Sequence, residues 1–317
     1  MQRLYFIVNI VAGRAEISAS LGNILNEFTK ADYEVTVHVT QSGTDASEKS
    51  LYACENGYDV IVCAGGDGTL SQCLQGIIDS GRKIPIGYIP AGSTNDFART
   101  LGIPKEPMDA VRWITEGVPT PVDIGKFNNS YFSYIVAFGA FTNITYETPQ
   151  NIKNIFGHSA YIMNGLMHLT SIRSKRMRIE YDGNVLEDDF IFGMVTNSAS
   201  VAGLLSMTDF LLDDGVFEVI LISKPANIMQ LQRIIHSLLN ITEEIDRDYI
   251  KFFRTHKITF TSLSDEPITW TRDGEYGGDL PVNVVENLQQ SVNFLVGKEP
   301  STIFTDGEDD EPTETLE

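Results

Sequence analysis

The sequence predicts an α/β domain followed by a β-sandwich, on three observations. Short apolar runs alternate with amphipathic helical stretches over roughly the first 120 residues. After residue 123 the pattern changes to strands separated by turn signals. Two apolar runs of the first part each end in a glycine-rich polar loop.

The run Met1-Gln-Arg-Leu-Tyr-Phe-Ile-Val8 places Arg3 ahead of an apolar core, as a short signal sequence does. Asn9 ends that core after five apolar residues and Arg14 and Glu16 follow, so 4–8 is read as a strand. Ile17, Leu21, Ile24, Leu25 and Phe28 recur on one helical face. Strands at 33–39, 59–63 and 85–89 then alternate with helices opening near 44–47 and spanning 70–78, followed by an amphipathic run at 98–103. Strands linked by crossover helices give a doubly wound parallel sheet, assigned to residues 1–122. Further strands are expected at 131–138, 177–181, 190–196, 217–222, 257–261 and 268–271. Asp182-Gly183 and Asp273-Gly274 mark hairpins among them. That gives a sandwich over 123–299, interrupted by helical runs at 158–169 and 227–239. Residues 300–317 form an acidic tail whose composition reads as disordered. The length of 317 residues suits two domains.

Net charge is −20, which disfavours nucleic acid as a partner. Seven of those charges fall between Asp306 and Glu317, leaving about −13 for the rest. Arg173, Lys175, Arg176 and Arg178 form a basic run, read either as a surface for lipid headgroups or as a charge-protected strand edge. The three cysteines, Cys54, Cys63 and Cys73, lack metal-ligand spacing and the five histidines are scattered, which fits a reducing cytoplasm and excludes a zinc centre. No uninterrupted apolar stretch reaches the ~18 residues of a membrane-spanning helix.

The loop Ala64-Gly-Gly-Asp-Gly-Thr69 follows a buried run and precedes a helix. Its glycines let backbone N–H groups approach an anion, and the helix adds its positive end. Asp67 beside phosphate calls for a bridging cation such as Mg²⁺; the alternative is a helix cap. A second loop, Ala91-Gly-Ser-Thr-Asn-Asp-Phe97, follows Ile86-Gly-Tyr-Ile-Pro90, so both border one crevice at the carboxyl ends of the strands. No Walker, dinucleotide or protein-kinase signature is present.

Gly65-Gly-Asp-Gly-Thr69 and Pro90-Ala-Gly-Ser-Thr-Asn-Asp-Phe97 resemble motifs of the diacylglycerol kinase catalytic family, soluble bacterial lipid kinases related to sphingosine and ceramide kinases. The similarity runs on through Val122-Asp-Ile-Gly-Lys126, Tyr146-Glu-Thr-Pro149, Leu212-Asp-Asp-Gly215 and Asp273-Gly-Glu-Tyr-Gly-Gly278, over nearly the whole chain. The resemblance implies an N-terminal domain of the NAD-kinase and phosphofructokinase type. It also implies an ATP site lined by Asn9, Gly13, Thr40, Gly66, Asp67, Gly68, Thr69, Leu70, Ser71, Gln72 and Ser93. Departures from the family pattern are Ile10, Ala12 and Arg14 in the first loop and Ser71-Gln72 after the glycine motif.

Phosphoryl transfer to an alcohol needs a base. Within Asp-Gly-Glu, Asp273 is the expected base, with Glu275 orienting it or serving instead; a plain hairpin is the other reading. The resemblance further implies a Mg²⁺ and water network through Asp67, Asp96 and Asp123, although Asp96 also suits a helix cap. It implies a structural Mg²⁺ on Asp214 and the carbonyls of Leu211 and Val216, where an ordinary Asp-Gly turn competes. The expected activity is ATP- and Mg²⁺-dependent phosphorylation of the primary hydroxyl of diacylglycerol to phosphatidic acid at the cytoplasmic membrane face. Alternatives are a sphingoid base, monoacylglycerol or glycerophospholipid acceptor, an NAD kinase, and a non-catalytic nucleotide- or lipid-binding protein. Phe138, Phe141, Ile155, Phe156, Tyr161 and Met163 are candidates for a greasy cleft, and a homodimer is expected from relatives of this kind.

Overall fold

The computed structural model describes the chain except residues 13–15, 93–94, 140–172, 198–199, 202–204, 207–210, 240–247, 265 and 298–317. Its first part runs β1 (Gln2–Val8), α1 (Glu16–Lys30), β2 (Tyr33–Val39), α2 (Asp45–Glu55), β3 (Val60–Gly65), α3 (Asp67–Asp79), β4 (Ile86–Pro90), α4 (Asp96–Thr100) and α5 (Pro107–Thr115). The strands pair in parallel in the order β2-β1-β3-β4. β3 and β4 are buried along their whole length, which is why they read as unbroken apolar runs. α1 packs on α5 and α2 on α3, the arrangement of a doubly wound sheet. The periodicity did not show α5. Pro107 opens it, a residue suited to the first helical turn, and Ala110, Val111 and Ile114 bury its inner face.

The second part is antiparallel: β5 (Val118–Phe127), β6 (Ser130–Phe132), β7 (Ile135–Gly139), β8 (Lys175–Tyr181), β9 (Asn184–Thr196), β10 (Ser200–Val201), β11 (Leu205–Ser206), β12 (Phe217–Ser223), α6 (Ile228–Leu239), β13 (Ile250–Thr255), β14 (Lys257–Ser262), β15 (Trp270–Arg272), β16 (Glu275–Gly278) and β17 (Val282–Val296). β9 joins two layers, because its first half pairs β8 and its second half pairs β7 and β12. Aromatic rings fill the space between the layers. Trp270 of β15 meets Phe127 of β5 at 5.1 Å and Phe260 of β14 at 4.9 Å, and Phe138 of β7 meets Phe260 at 5.9 Å. Both predicted hairpins are present, with Asp182, Gly183, Asp273 and Gly274 all at positive φ.

The two parts share one hydrogen-bonded sheet. β17 lies between β14 and β5 and then reaches β4 through Phe294 opposite Ile86. Its last residues, Val292, Phe294, Leu295 and Val296, belong to the core of the first part. A bulge interrupts β17 between Leu288 and Val292, with Gln290 at φ 49°.

Three residues of the basic run, Lys175, Arg176 and Arg178, sit on β8, with Arg173 just before it; β8 is bracketed by β9 and β14, so it is not a sheet edge. Each cation is also neutralised: Arg173 and Lys175 by Glu266, Arg176 by Asp189, and Arg178 by Glu180 and Glu187. The strand-edge reading of that run is therefore corrected, and a lipid-facing surface here would require headgroups to displace those carboxylates. Phe138 is fully buried between the sandwich layers and lines no cleft, while Phe141, Ile155, Phe156, Tyr161 and Met163 lie outside the described residues, as do the helical run at 158–169 and the acidic tail. Among the described residues no helix is long and apolar enough to cross a membrane.

Candidate active site

The strand order reverses direction between β1 and β3, and the crevice there is where ligands bind in such sheets. Asn9 follows β1; its Nδ2 donates to Thr69 Oγ1 at 3.0 Å and its Oδ1 accepts from Val11 N at 3.1 Å. Thr40 follows β2 and donates its N–H to the Val8 carbonyl at 3.0 Å. Gly66 caps α3 in an extended conformation with no side-chain capping bond, and Thr69 and Leu70 fold their N–H groups back onto its carbonyl. The helix dipole favours an anion in front of the start of α3.

Not every residue expected to line this site is available to it. Leu70 is a fully buried core residue, and the Ser71 hydroxyl donates to the Tyr131 carbonyl at 3.3 Å, tying α3 to β6. Asp67 and Asp96 are the first residues of α3 and α4; the caps are Gly66 and Asn95, so neither carboxylate takes the capping role that was its alternative. Gly13 and Ser93 lie outside the described residues.

The sandwich contributes its hairpin β15–β16. Asp273 is 7% exposed and both its oxygens are engaged: Oδ2 accepts from Ser133 N at 2.7 Å and Ser133 Oγ at 3.0 Å, and Oδ1 from Tyr134 N and Ile135 N, both at 3.1 Å. Burial lifts its carboxyl above the ordinary range and these four donors pull it back. Glu275 stands differently. It is exposed, and a Cβ placed on Gly68 would lie 2.5 Å from its Oε1, so this carboxylate rests against the glycine loop. The geometry holds Asp273 within the hairpin and sets Glu275, the second expected candidate for the base, against the glycine loop.

Tyr134, which sequence reasoning missed, is buried beside the hairpin, its N–H bonded to Asp273. Burial first, then the charges of Asp273, Asp96, Asp67 and Glu275, push its phenol well above its ordinary value. Asp123, the third residue of the expected network, is held by partners of the second part. It is fully buried, and its oxygens accept from Gln290 N at 2.7 Å, Gly215 N at 2.7 Å and Asn287 Nδ2 at 3.1 Å. Burial raises its carboxyl against the pull of those bonds. It fixes the β17 bulge to the turn before β12.

That turn holds Asp214, the expected structural Mg²⁺ ligand. Its Oδ1 accepts from Val216 N at 3.2 Å, its Oδ2 pairs with Arg254 Nη2, and the Val216 carbonyl accepts from Asn287 Nδ2 at 3.3 Å. Arg254 Nε also reaches Glu218 Oε1 at 3.1 Å, directly across the β12–β13 pair. Burial pushes the Glu218 carboxyl up to about 7, opposed by Arg254. A guanidinium holds the carboxylate, so a divalent cation on Asp214 and the Leu211 and Val216 carbonyls would have to displace Arg254. Among the described residues no three His, Cys, Asp or Glu side chains converge as metal ligands.

The comparisons with known proteins agree with this architecture. The profile of the diacylglycerol kinase catalytic domain matches residues 3–127, and that of the YegS C-terminal NAD kinase beta sandwich-like domain matches residues 135–296. A diacylglycerol kinase of Staphylococcus aureus (strain bovine RF122 / ET3-1) is 36% identical over 295 residues, covering 93% of this chain and 92% of that protein. The diacylglycerol kinase of Bacillus subtilis (strain 168) is 33% identical over 308 residues, covering 96% and 100%. The crystal structure of a diacylglycerol kinase from Bacillus anthracis str. Sterne shares the fold, with a TM-score of 0.72 at 23% identity over 93% of this chain and 97% of that one. With both halves matched in order and the crevice formed between them, the chain belongs to the diacylglycerol kinase family and is a phosphotransferase acting on an alcohol group.

Proposed function

We propose that the protein is an ATP- and Mg²⁺-dependent lipid kinase that converts diacylglycerol to phosphatidic acid at the cytoplasmic membrane surface. The observation that carries this reading is the contact of Glu275 with Gly68, which sets a carboxylate from the sandwich against the phosphate-facing loop of the α/β part. Glu275 takes the proton of the acceptor hydroxyl as the phosphoryl group is transferred. Asp273 holds the hairpin that presents it, through the four donors of Ser133, Tyr134 and Ile135. The N–H groups of the glycine loop and the start of α3 orient the phosphates, and Asn9, bonded to Thr69, shapes the wall beside them. Mg²⁺ bound with nucleotide neutralises phosphate charge and typically uses only one or two protein carboxylates, a requirement that Asp67 and Asp96 fit. Tyr134, itself buried, lies within electrostatic range of both.

The deciding experiment is transfer of label from [γ-³²P]ATP to a panel of lipids in mixed micelles, with NAD in parallel. Diacylglycerol labelled to phosphatidic acid, only when Mg²⁺ is supplied, is the expected result. Preferential labelling of a sphingoid base, a monoacylglycerol or a glycerophospholipid would move the acceptor, and labelling of NAD would move the reaction itself.

A further inference from the structure

The loops after β3 and β4 meet edge to edge. Ala91 N donates to the Gly65 carbonyl at 2.8 Å, carrying the ladder one step past the pair Gly65 and Pro90. The next residues are glycines in contact. A Cβ on Gly92 would lie 2.8 Å from Gly66 Cα, and one on Gly66 would lie 3.3 Å from Gly92 Cα, so no side chain fits between the two loops. Beyond this contact Asn95, in a left-handed conformation at φ 48°, braces its own loop: its Oδ1 accepts from Gly92 N and its Nδ2 donates to the Gly92 carbonyl, both at 2.8 Å.

Beneath both loops stands Tyr88, fully buried in the middle of β4. A phenylalanine would fill nearly the same volume, so the hydroxyl is the part that needs a reason. It lies 3.2 Å from the Gly65 carbonyl and 3.4 Å from Asn95 Oδ1, one acceptor from each loop. Burial raises the phenol far above its ordinary value, so it remains a donor at any working pH. We propose that Tyr88 is a positioning residue for the nucleotide. Its hydroxyl holds Asn95 at a fixed offset from the glycine loop, so that the phosphate-facing N–H groups and Asp96 are set in place before the nucleotide arrives. The gain is preorganisation, which strengthens binding by removing an ordering cost and adds no contact to the ligand. This inference rests on the ATP-dependent reading above, and its test is arranged to fail separately from that reading.

Tyr88→Phe removes only the hydroxyl. Gly65 O keeps the Ala91 N–H and Asn95 Oδ1 keeps the Gly92 N–H, so no acceptor is orphaned and the variant is expected to fold. Calorimetric titration of the full chain with ATP in the presence of Mg²⁺ should show affinity weakened about threefold to tenfold, the effect of one neutral hydrogen bond. In turnover assays the KM for ATP should rise by the same factor, while kcat and the KM for the lipid stay as in the wild type. Asn95→Ser provides the second arm. If the hydroxyl acts through Asn95, the double variant loses less affinity than the two single losses combined. Wild-type protein that does not bind ATP would overturn the kinase reading itself. Wild-type protein that binds ATP no better than Tyr88→Phe, or losses that combine in full, would overturn the role of Tyr88.

Discussion

Asp273→Asn separates an anchor from a base. The wild-type carboxylate receives four donors, two on each oxygen, in a site 7% exposed. Asparagine offers one accepting oxygen and one NH2. Turning the NH2 toward Tyr134 and Ile135 would orphan two buried N–H groups, so the side chain settles with it toward Ser133, whose hydroxyl can rotate and accept. One orphaned buried N–H then costs about 1–3 kcal/mol, and the bonds that remain lose the strength a charged acceptor gives them. Together this comes to about 3 kcal/mol. At roughly 2–4 °C per kcal/mol for a chain of this size, the thermal midpoint should fall by about 6–12 °C. Glu275→Gln supplies the contrast. Glu275 is exposed on a short edge strand, so its midpoint should hold while kcat drops about a hundredfold or more, the scale of lost base catalysis. Scanning calorimetry of both variants beside their lipid turnover makes the measurement. An Asp273→Asn protein with wild-type midpoint and kcat reduced a hundredfold or more, next to an active Glu275→Gln, would refute the reasoning and restore Asp273 as the base.

Two further outcomes follow from charge placement. Excess EDTA should leave the wild-type midpoint unchanged, and Arg254→Met should lower the stability by about 2–3 kcal/mol, because Glu218, 2% exposed, loses its counter-charge while the partly exposed arginine softens the loss. Magnesium retained at one equivalent through gel filtration, with a midpoint that falls on chelation, would reinstate the metal at Asp214. Replacing Arg173, Lys175, Arg176 and Arg178 together by Gln should leave sedimentation with anionic vesicles unchanged, since each already faces a carboxylate. A clear loss at low salt, shrinking as salt rises, would mean that lipid competes those carboxylates away.

The doubly wound half was legible because three of its four strands are largely buried on both faces and its helices carry one-sided apolar spacing, so composition and period agreed. β17 was not legible. Its middle reads Glu286, Asn287, Leu288, Gln289 and Gln290, four polar side chains around one leucine that no strand pattern singles out, yet Asn287 and Gln290 are held there by Asp123. The hairpin at Asp273-Gly274 was legible from its turn residues. The division of roles within it was not. Nothing near Ser133 in the sequence announces three successive donors for a carboxylate 138 to 140 residues away. The same holds for Arg254, whose partners become visible only once β13 lies opposite β12.

These long-range carboxylate anchors explain how a site assembled from two architectures keeps its geometry. Glu275 stands on β16, a four-residue strand bonded to β15, and short edge strands are held weakly by their own pairing. Its backbone is fixed instead by the preceding residue pair, because Asp273 ties the turn to the segment that joins β6 to β7. On the other side of the crevice, Ser71 binds α3 to β6 through the Tyr131 carbonyl, and the Tyr131 hydroxyl reaches Asp79 Oδ1 at 3.2 Å at the far end of the same helix. The helix that carries the glycine loop and the hairpin that carries Glu275 are thus both referenced to the neighbouring residues 131 and 133–135. A disturbance of that stretch shifts phosphate loop and base relative to each other, even though none of its backbone donors touches a reacting atom. Loss of activity on mutation there would consequently appear in kcat, through misplacement of the base, well before the sandwich core itself came apart.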